Sequence, residues 1–417
     1  MNGYYRSFDD EMREMFGGKV YRLALSASHT CPNRDGHCGT GGCIFCSVGG
    51  SGDFAEDKGT IDEQLERAKL RVRSKLSRSF AGYMAYFQSF TETYGDTDYL
   101  AGCFEQAAAH PEVLALSIAT RPDSVSDEMI ARLQAINERK PVYVELGLQT
   151  VHEDTARYIN RCYELPVFED AFRCLKGAGL KVVVHVIIGL PNEDETRTAE
   201  TVKYLANLTT PDGRHIDGIK LQLLHVLKGT ALAERMPQSH EAAYTDNYSD
   251  ICPETDTQDA DCTEYTERKS DAADQDNFGQ KAACACQSSS DYSIFHKKEH
   301  GEGCLILNDG AFLTCYNMTN YAELIVRLIA MLPKDITIHR ITGDAPKSLL
   351  IWPMWTADKK RVLNTISKAF AKSAAVKLEA CMRQQNVSAG SVLLAPTEVK
   401  HRCGSESAHS NYTKWRL

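Results

Sequence analysis

The sequence predicts an α/β fold: a parallel sheet curled into a partial, TIM-like (β/α)6 barrel, interrupted by an acidic insertion and followed by a small C-terminal α/β extension. Three observations lead there. Six short apolar runs alternate with longer runs of helical period between Lys19 and Leu224, the signature of β–α repeats. A loop rich in glycine and cysteine leaves the C-terminal end of the first run, where α/β folds carry their chemistry. Composition shifts sharply near Met236 and shifts back near Asn320.

Taken in order, residues 1–18 read as a short amphipathic leader, with Phe8, Met12, Met15 and Phe16 spaced for one helical face. The first strand, Lys19–Ala27, alternates Tyr21, Leu23 and Leu25 against Arg22, Ala24 and Ser26. A helix is expected over Thr60–Ser77. Its Arg67, Lys69, Arg71, Arg73 and Lys75 spread around the axis, which fits a solvated basic helix better than a nucleic-acid strip. Further strands are expected at Tyr83–Phe90, Val113–Ala119, Val142–Gln149, Val182–Ile188 and Ile216–Leu224, with helices between them. Their parity is informative. Glu145, Gly147 and Gln149 share one face; Ser117, Ala119 and Arg121 share another; His185 pairs with Gly189, and Lys220 with Gln222. A sealed barrel would fill such inward positions with apolar side chains, so the polar faces predict an open, ligand-holding interior.

From Met236 to Glu302 the chain is rich in Asp, Glu, Ser, Thr and Gln, a composition unable to bury enough apolar surface to order itself. The domain reading is therefore a leader (1–18), a core (19–235), an acidic and mostly disordered insertion (236–319), a C-terminal extension (320–385) and a flexible tail (386–417). Within the extension, Tyr321–Leu332 reads as helix, Ile336–Ile341 as strand and Thr356–Lys372 as helix. The formal charge of −9 is concentrated: Glu241–Tyr292 holds 13 acids against 3 bases, and the remainder is near neutral at +1. Net charge thus argues neither for nor against a polyanionic partner. No run approaches the roughly 18 apolar residues of a membrane helix. With 15 cysteines and no signal-like N-terminus, the expectation is a cytoplasmic protein that uses cysteine for metal or redox chemistry, without a membrane association.

The loop Cys31-Pro-Asn-Arg-Asp-Gly-His-Cys-Gly-Thr-Gly-Gly-Cys-Ile-Phe-Cys46 carries the chemistry. Cys43 and Cys46 have the two-residue spacing that lets two thiolates grip one centre. The glycines let backbone N–H groups approach an anionic object. Two readings fit. Three thiolates suit a [4Fe–4S] cluster with one iron left open for a co-substrate. Four, with Cys38, would close a structural zinc site. Phe45 offers an adenine-stacking surface.

The loop resembles the radical S-adenosylmethionine (SAM) superfamily, and within it a bacterial family marked by C-P-N-R-D-G followed by G-G-C-x-F-C and related to the Elongator catalytic subunit. The resemblance covers about residues 16–235 and 320–370. It implies cluster ligands at Cys31, Cys43 and Cys46, with Cys38 departing from the family pattern. It implies SAM as the second cofactor, whose reductive cleavage yields methionine and a 5′-deoxyadenosyl radical that takes hydrogen from substrate. Thr120-Arg-Pro-Asp123 and Glu145-Leu-Gly-Leu-Gln-Thr150 are similar to Elongator-type segments. On that basis Arg121 is expected at the SAM carboxylate, and Glu145 and Gln149 at its amino group or ribose. Phe45, Gln88 and Gly189 complete the expected cofactor contacts. Gly189-Leu-Pro-Asn-Glu193 resembles the fifth-strand motif, with Asn192 where the family more often has glycine. Leu223–Thr230 and His339–Asp344 resemble the family's own signatures. They place His225, Lys228, His339 and Asp344, with His185 and Arg340, on the substrate side. The resemblance implies tRNA as substrate, through wobble-uridine side chains, and an electron donor such as flavodoxin or ferredoxin. A small metabolite or peptide substrate, and a non-catalytic zinc or iron–sulfur module, are the alternatives.

Overall fold

A computed structural model describes residues 3–28, 30–50, 55–56, 58–237 and 303–390, with side chains of the last helix described as far as residue 376. The bulk of the expected insertion, and the tail beyond residue 390, lie outside the described residues.

The strands of the core are β1 (Lys19–Leu25), β2 (Phe80–Phe87), β3 (Val113–Thr120), β4 (Val142–Gln149), β5 (Lys181–Ile188) and β6 (Gly218–Leu223). They pair in chain order, every neighbour parallel. Beyond the six expected strands, a seventh joins. Three short strands, β7 (Val226–Leu227) and the hairpin of β8 (Cys304–Ile306) and β9 (Phe312–Thr314), precede β10 (Thr337–Arg340), which lies parallel to β6 at the far edge. β11 (Leu350–Trp352) pairs antiparallel with β7.

Helices α1 (Phe8–Phe16), α2 (Ile61–Val72), α3 (Thr97–Ala109), α4 (Asp127–Asn137), α5 (Glu153–Tyr158), α6 (Leu165–Gly177), α7 (Glu195–Asn207), α8 (Ala231–Glu234), α9 (Met318–Ile329) and α10 (Lys359–Gly390) complete the elements. Their starts follow local chemistry. Ser7 and Asp10 close a capping box on α1, and Thr60 and Glu63 do so on α2. Asp96, Ser126 and Asp194 cap α3, α4 and α7 by accepting backbone N–H groups of the first turn. The chain divides into two compact units, Met1–Ala369 and Phe370–Leu417; of the second, the structure describes the continuation of α10. No helix among the described residues is long and apolar enough to cross a membrane.

Two expectations need correction. Residues 303–319 are not part of a disordered insertion. They form the β8–β9 hairpin, turned at Gly310 (φ 86°), and bury Leu305, Leu307 and Leu313 against Ile44, Leu190 and Leu224. Their Asn308-Asp309-Gly310 turn between apolar runs is a hairpin signal that the surrounding polar composition masks. The leader forms the expected amphipathic helix, but Met15 of its expected apolar face is exposed. α1 buries Met12 among Val20, Met84, Ala115, Tyr143 and Val183, residues from the N-terminal halves of the strands, and so closes that end of the barrel.

Glu11 of α1 is nearly inaccessible and meets Tyr143 Oη at 3.1 Å, Lys181 Nζ at 3.0 Å and His339 Nε2 at 3.7 Å. Burial acts to raise its carboxyl, but His339 and Lys181 outweigh burial and hold it at about 2. The folded value lies below the unfolded one, so this stabilisation is complete above about pH 4.5 and drains away as pH falls toward 2. Glu11→Gln is expected to cost up to about 3 kcal/mol at pH 7 and to flatten the acid dependence of thermal stability. Calorimetry between pH 2.5 and 6 checks this; an unaltered acid slope in the variant would contradict it.

Candidate active site

At the C-terminal end of the sheet a cavity of about 250 Å³ opens, and Cys31, Cys43 and Cys46 all stand on its wall. The loop that carries them is built by its own motif residues. Cys31 C=O accepts the Arg34 N–H at 2.8 Å, and Cys43 C=O accepts the Cys46 N–H at 2.9 Å. The Arg34 guanidinium closes the turn from inside by donating to the carbonyls of Cys46 and Ser47. Asn33 donates to Asn160 C=O at 2.5 Å and approaches Cys43 Sγ at 3.6 Å. Gly42 sits at φ 82°, where a Cβ would come within 2.9 Å of the Arg34 side chain, so only glycine fits. At the loop's start the buried carboxyl of Glu92 accepts the N–H groups of Ala27 and Ser28, at 2.9 and 3.0 Å.

A second segment, absent from the sequence reading, braces the first. After α5 the chain turns through Asn160 and Cys162, both at positive φ. Asn160 Nδ2 donates to Gly42 C=O at 2.8 Å, and Ile44 N–H donates to Ile159 C=O at 3.1 Å. Arg161, 1% exposed, donates to the carbonyls of Leu148 and Thr150 at the end of β4. Its own carbonyl accepts Arg121 Nη1 at 2.9 Å. The two guanidinium groups flank the Tyr163 ring at 5.0 and 4.4 Å. No motif marks Arg161 or Tyr163; they become part of the site only because α5 returns the chain to the cysteine loop.

Most of the expected residues line the cavity: Phe45, Arg121, Glu145, Gln149, His185, His225, Arg340 and Asp344 join the three cysteines. The parity argument holds, since Ala119, Gly147 and Gln222 line it too. Arg121 is pinned by Asp123 at 2.6 Å. Burial opposes its charge, but Asp123, and then Cys31 and Cys43, outweigh burial and raise the guanidinium above its ordinary range. Gln149 ends β4 in the left-handed region at φ 69°. His225 packs against Gly343, and burial lowers its imidazole to about 4. Asp344 is held by Lys359 at 2.6 Å.

Four expected residues lie elsewhere. Gln88 holds β1 through a backbone bond to Leu25, and the turn at Ser89 (φ 137°) delivers Ser89, Phe90 and Thr91 to the wall in its place. Gly189 is a turn residue at φ 77°, packed beside the Tyr316 ring. Lys228 is exposed, its N–H bonded to Leu349 C=O at 2.7 Å. His339 belongs to the opposite end of the barrel, between Glu11, Arg22 and the rings of Phe8 and Tyr143. The register of β10 slips between Ile338 and Arg340, so Arg340 reaches the cavity while His339 serves the α1 plug. Asn192, where glycine was expected, keeps that backbone: it adopts φ 63°, and its side chain accepts the Phe312 N–H at 3.2 Å.

Beneath the cavity lies a charged layer. Glu145 accepts Ser117 Oγ at 2.7 Å and His185 Nε2 at 2.8 Å, and forms an ion pair with Lys220, whose Nζ also meets Tyr86 Oη at 3.0 Å. Burial acts to raise the Glu145 carboxyl, but Lys220, His185 and Arg22 outweigh it and hold the group ionised. Both its oxygens are engaged within the protein, Oε1 by Ser117 alone, and the carboxylate still stands on the cavity wall. Removing one partner of such a buried pair costs about 3–5 kcal/mol.

The donor set fits an iron–sulfur cluster. Cys38 is off the wall, its Sγ 3.7 Å from an Arg121 amino group, so three thiols face the cavity. Among the described residues no three His, Cys, Asp or Glu side chains converge on one metal ion, as a closed zinc site requires. In a cluster each cysteine ligates a different iron, so the thiols surround a cube rather than a single ion. Burial pushes the Cys43 thiol up to about 12, so its deprotonation depends on the charge of bound iron.

Residues 28–205 match the Radical SAM superfamily and residues 308–372 the Radical_SAM C-terminal domain. The chain is 33% identical over 365 residues to the protein YtqA of Bacillus subtilis (strain 168), an alignment spanning 87% of this chain and 88% of that one. This protein belongs to the radical SAM superfamily. It is 35% identical over 229 residues to the protein YhcC of Escherichia coli (strain K12), covering 54% and 70% of the two chains. Elongator complex protein 3 of Drosophila melanogaster matches at 34% over 122 residues, covering 29% of this chain and 21% of that one. As a radical SAM enzyme the protein uses a [4Fe–4S] cluster and SAM, and the non-catalytic zinc module is set aside.

Cysteine replacement separates ligands from neighbours. Cys31→Ala, Cys43→Ala and Cys46→Ala are each expected to abolish cluster loading and SAM cleavage, while Cys38→Ala keeps both. Iron and sulfide content after anaerobic reconstitution, with 5′-deoxyadenosine assayed by chromatography, decides; a loaded Cys43→Ala protein would refute the assignment.

Proposed function

We propose that this radical SAM enzyme acts on tRNA, removing hydrogen from a side chain of the 5-carboxymethylaminomethyl type on a wobble uridine. In this reading Cys31, Cys43 and Cys46 hold the cluster, while Arg121, Gln149 and Phe45 receive SAM. The bound pair supplies one-electron chemistry, fed by a donor such as flavodoxin or ferredoxin. The chain's own residues orient the substrate and keep competing reactants out.

The observation that carries the substrate class is the charge of the cavity. Arg34, Arg121, Arg161 and Arg340 line it against two carboxylates, those of Glu145 and Asp344, although the chain body is near neutral. Arg34, Arg121 and Arg161 are committed to the scaffold by the bonds described above. Arg340 is different: it approaches Asp344 at 3.5 Å, longer than a good hydrogen bond, and its fork suits a carboxylate or phosphate. The likeness to Elongator complex protein 3 over 122 residues adds support for this reading. The basic helix α2 is not that contact. Arg67 and Arg71 pair with Glu56, and Lys69 with Glu66 and Glu112.

Mass spectrometry of tRNA nucleosides from cells with and without the gene tests the proposal. Loss of one wobble-uridine derivative and accumulation of its carboxymethylaminomethyl precursor are expected. Unchanged nucleosides would reject tRNA and point to a small metabolite or peptide. With purified enzyme, Arg340→Met is expected to lower kcat/KM about tenfold or more, the worth of one charge-assisted hydrogen bond.

A further inference from the structure

Each strand of the barrel sends one polar side chain toward the layer beneath the cavity: Arg22, Tyr86, Ser117, Glu145, His185, Lys220 and Arg340, from β1 through β6 and β10. Lys220 and Glu145 have side chains with no exposure at all. A barrel does not need this arrangement to fold, since inward layers of Val, Ile and Leu pack without desolvating charge. What the layer does hold in place is one ring that reaches the cavity. His185 is 18% exposed and lines the cavity wall, and its Nε2 lies 2.8 Å from Glu145 Oε2. An ionised carboxylate can only accept, so the ring proton sits on Nε2, and Nδ1 is the nitrogen left to face the cavity with a lone pair.

We propose that His185 is the substrate-anchoring acceptor of this cavity, taking an N–H of a side-chain amine through Nδ1, and that Lys220 is the positioning residue that keeps Glu145 ionised and thereby fixes the exposed lone pair. The ligand class follows from the two chemistries on the wall. An acceptor backed by a carboxylate recognises an amine, and the Arg340 fork recognises a carboxylate, so the cavity suits a group carrying both. The identity of that group as a tRNA substituent rests on the reading above; the geometry of His185 does not.

The groups facing the ring are Glu145, Lys220 and Arg340, with Tyr86 and Arg22 behind them. Burial, then the Lys220 charge, lowers the imidazole to about 4 against the opposing pull of Glu145. The ring is therefore neutral at physiological pH, as an acceptor must be. Removing the Lys220 charge changes this in a known direction: the imidazole rises, and its lone pair is lost to protonation at higher pH than in the native protein.

Two experiments bear on the proposal. In holoenzyme labelled with ring-13C histidine, the His185 resonance, identified by its loss in His185→Phe, is expected to report a neutral Nε2–H ring from pH 6.5 to 5.5, below the value of about 7 to which burial lowers Lys220 and above that of His185. In Lys220→Met the same resonance is expected to leave that tautomer, with its titration moved upward. An unchanged resonance in Lys220→Met, or a native Nδ1–H ring, overturns the proposal whatever the substrate proves to be. With the substrate in hand, His185→Phe is expected to raise KM about tenfold while kcat changes less than about threefold. His185→Gln, whose amide can both donate to Glu145 and offer its oxygen to the cavity, is expected to recover part of the loss. A fall in kcat at unchanged KM, in a variant with native cluster content and thermal stability, overturns the anchoring role.

Discussion

The buried pair of Glu145 and Lys220 divides the interior of this barrel into two halves with different physics. Toward the N-terminal ends of the strands the interior holds an apolar cluster, Met84, Ala115, Tyr143 and Val183 stoppered by Met12 of α1, beside the buried Glu11 and His339. Toward the C-terminal ends it is open, polar and cationic. A charged layer between them is tolerable because the groups around Glu145 are paired: Ser117, His185 and Lys220 on Glu145, and Tyr86 on Lys220. Deleting one partner would strand the other in a medium that cannot solvate it. The open half exists because the layer below it is complete.

Above that layer, the cluster site is an assembly of loops held by a scaffold. The cysteine loop closes on itself through Arg34 and Asn33, yet its position over the barrel depends on the 159–163 segment and on Glu92. Arg121 connects the two, since its guanidinium bonds the Arg161 carbonyl and stands near Cys38. The cysteine loop, the 159–163 segment, Arg121 and the end of β4 are thus joined by one hydrogen-bond network. The enzyme's chemistry comes from its cofactors, and the network supplies their alignment.

The parts of the site that were legible in the chain are those encoded by local pattern. Alternation within β4 and β5 placed Glu145, Gly147, Gln149 and His185 on the inward face, because a two-residue period allows no other choice once the opposite face is apolar. The cysteine motif was legible for a similar reason, since its spacing and glycines describe a loop folded largely on itself. Proximity along the chain misled elsewhere. His339 and Arg340 were read as one block, but the register slips in β10, and His339 meets Glu11 of α1 while Arg340 lines the cavity. Lys228 and His225 stand three residues apart, and only His225 reaches the cavity.

By itself the sequence determined the family, the order and type of the core elements, the loop whose three cysteines line the cavity and the polarity of the barrel's inner face. Each of these depends on residues close together in the chain. Tertiary structure alone decided that the leader seals the barrel, that Arg161 and Tyr163 brace the cluster loop, that residues 304–314 belong to the core, and that Lys220 sits on Glu145. These are contacts between segments separated by tens to hundreds of residues. Their partners are chosen by the packing of the whole sheet, and no local period records that choice.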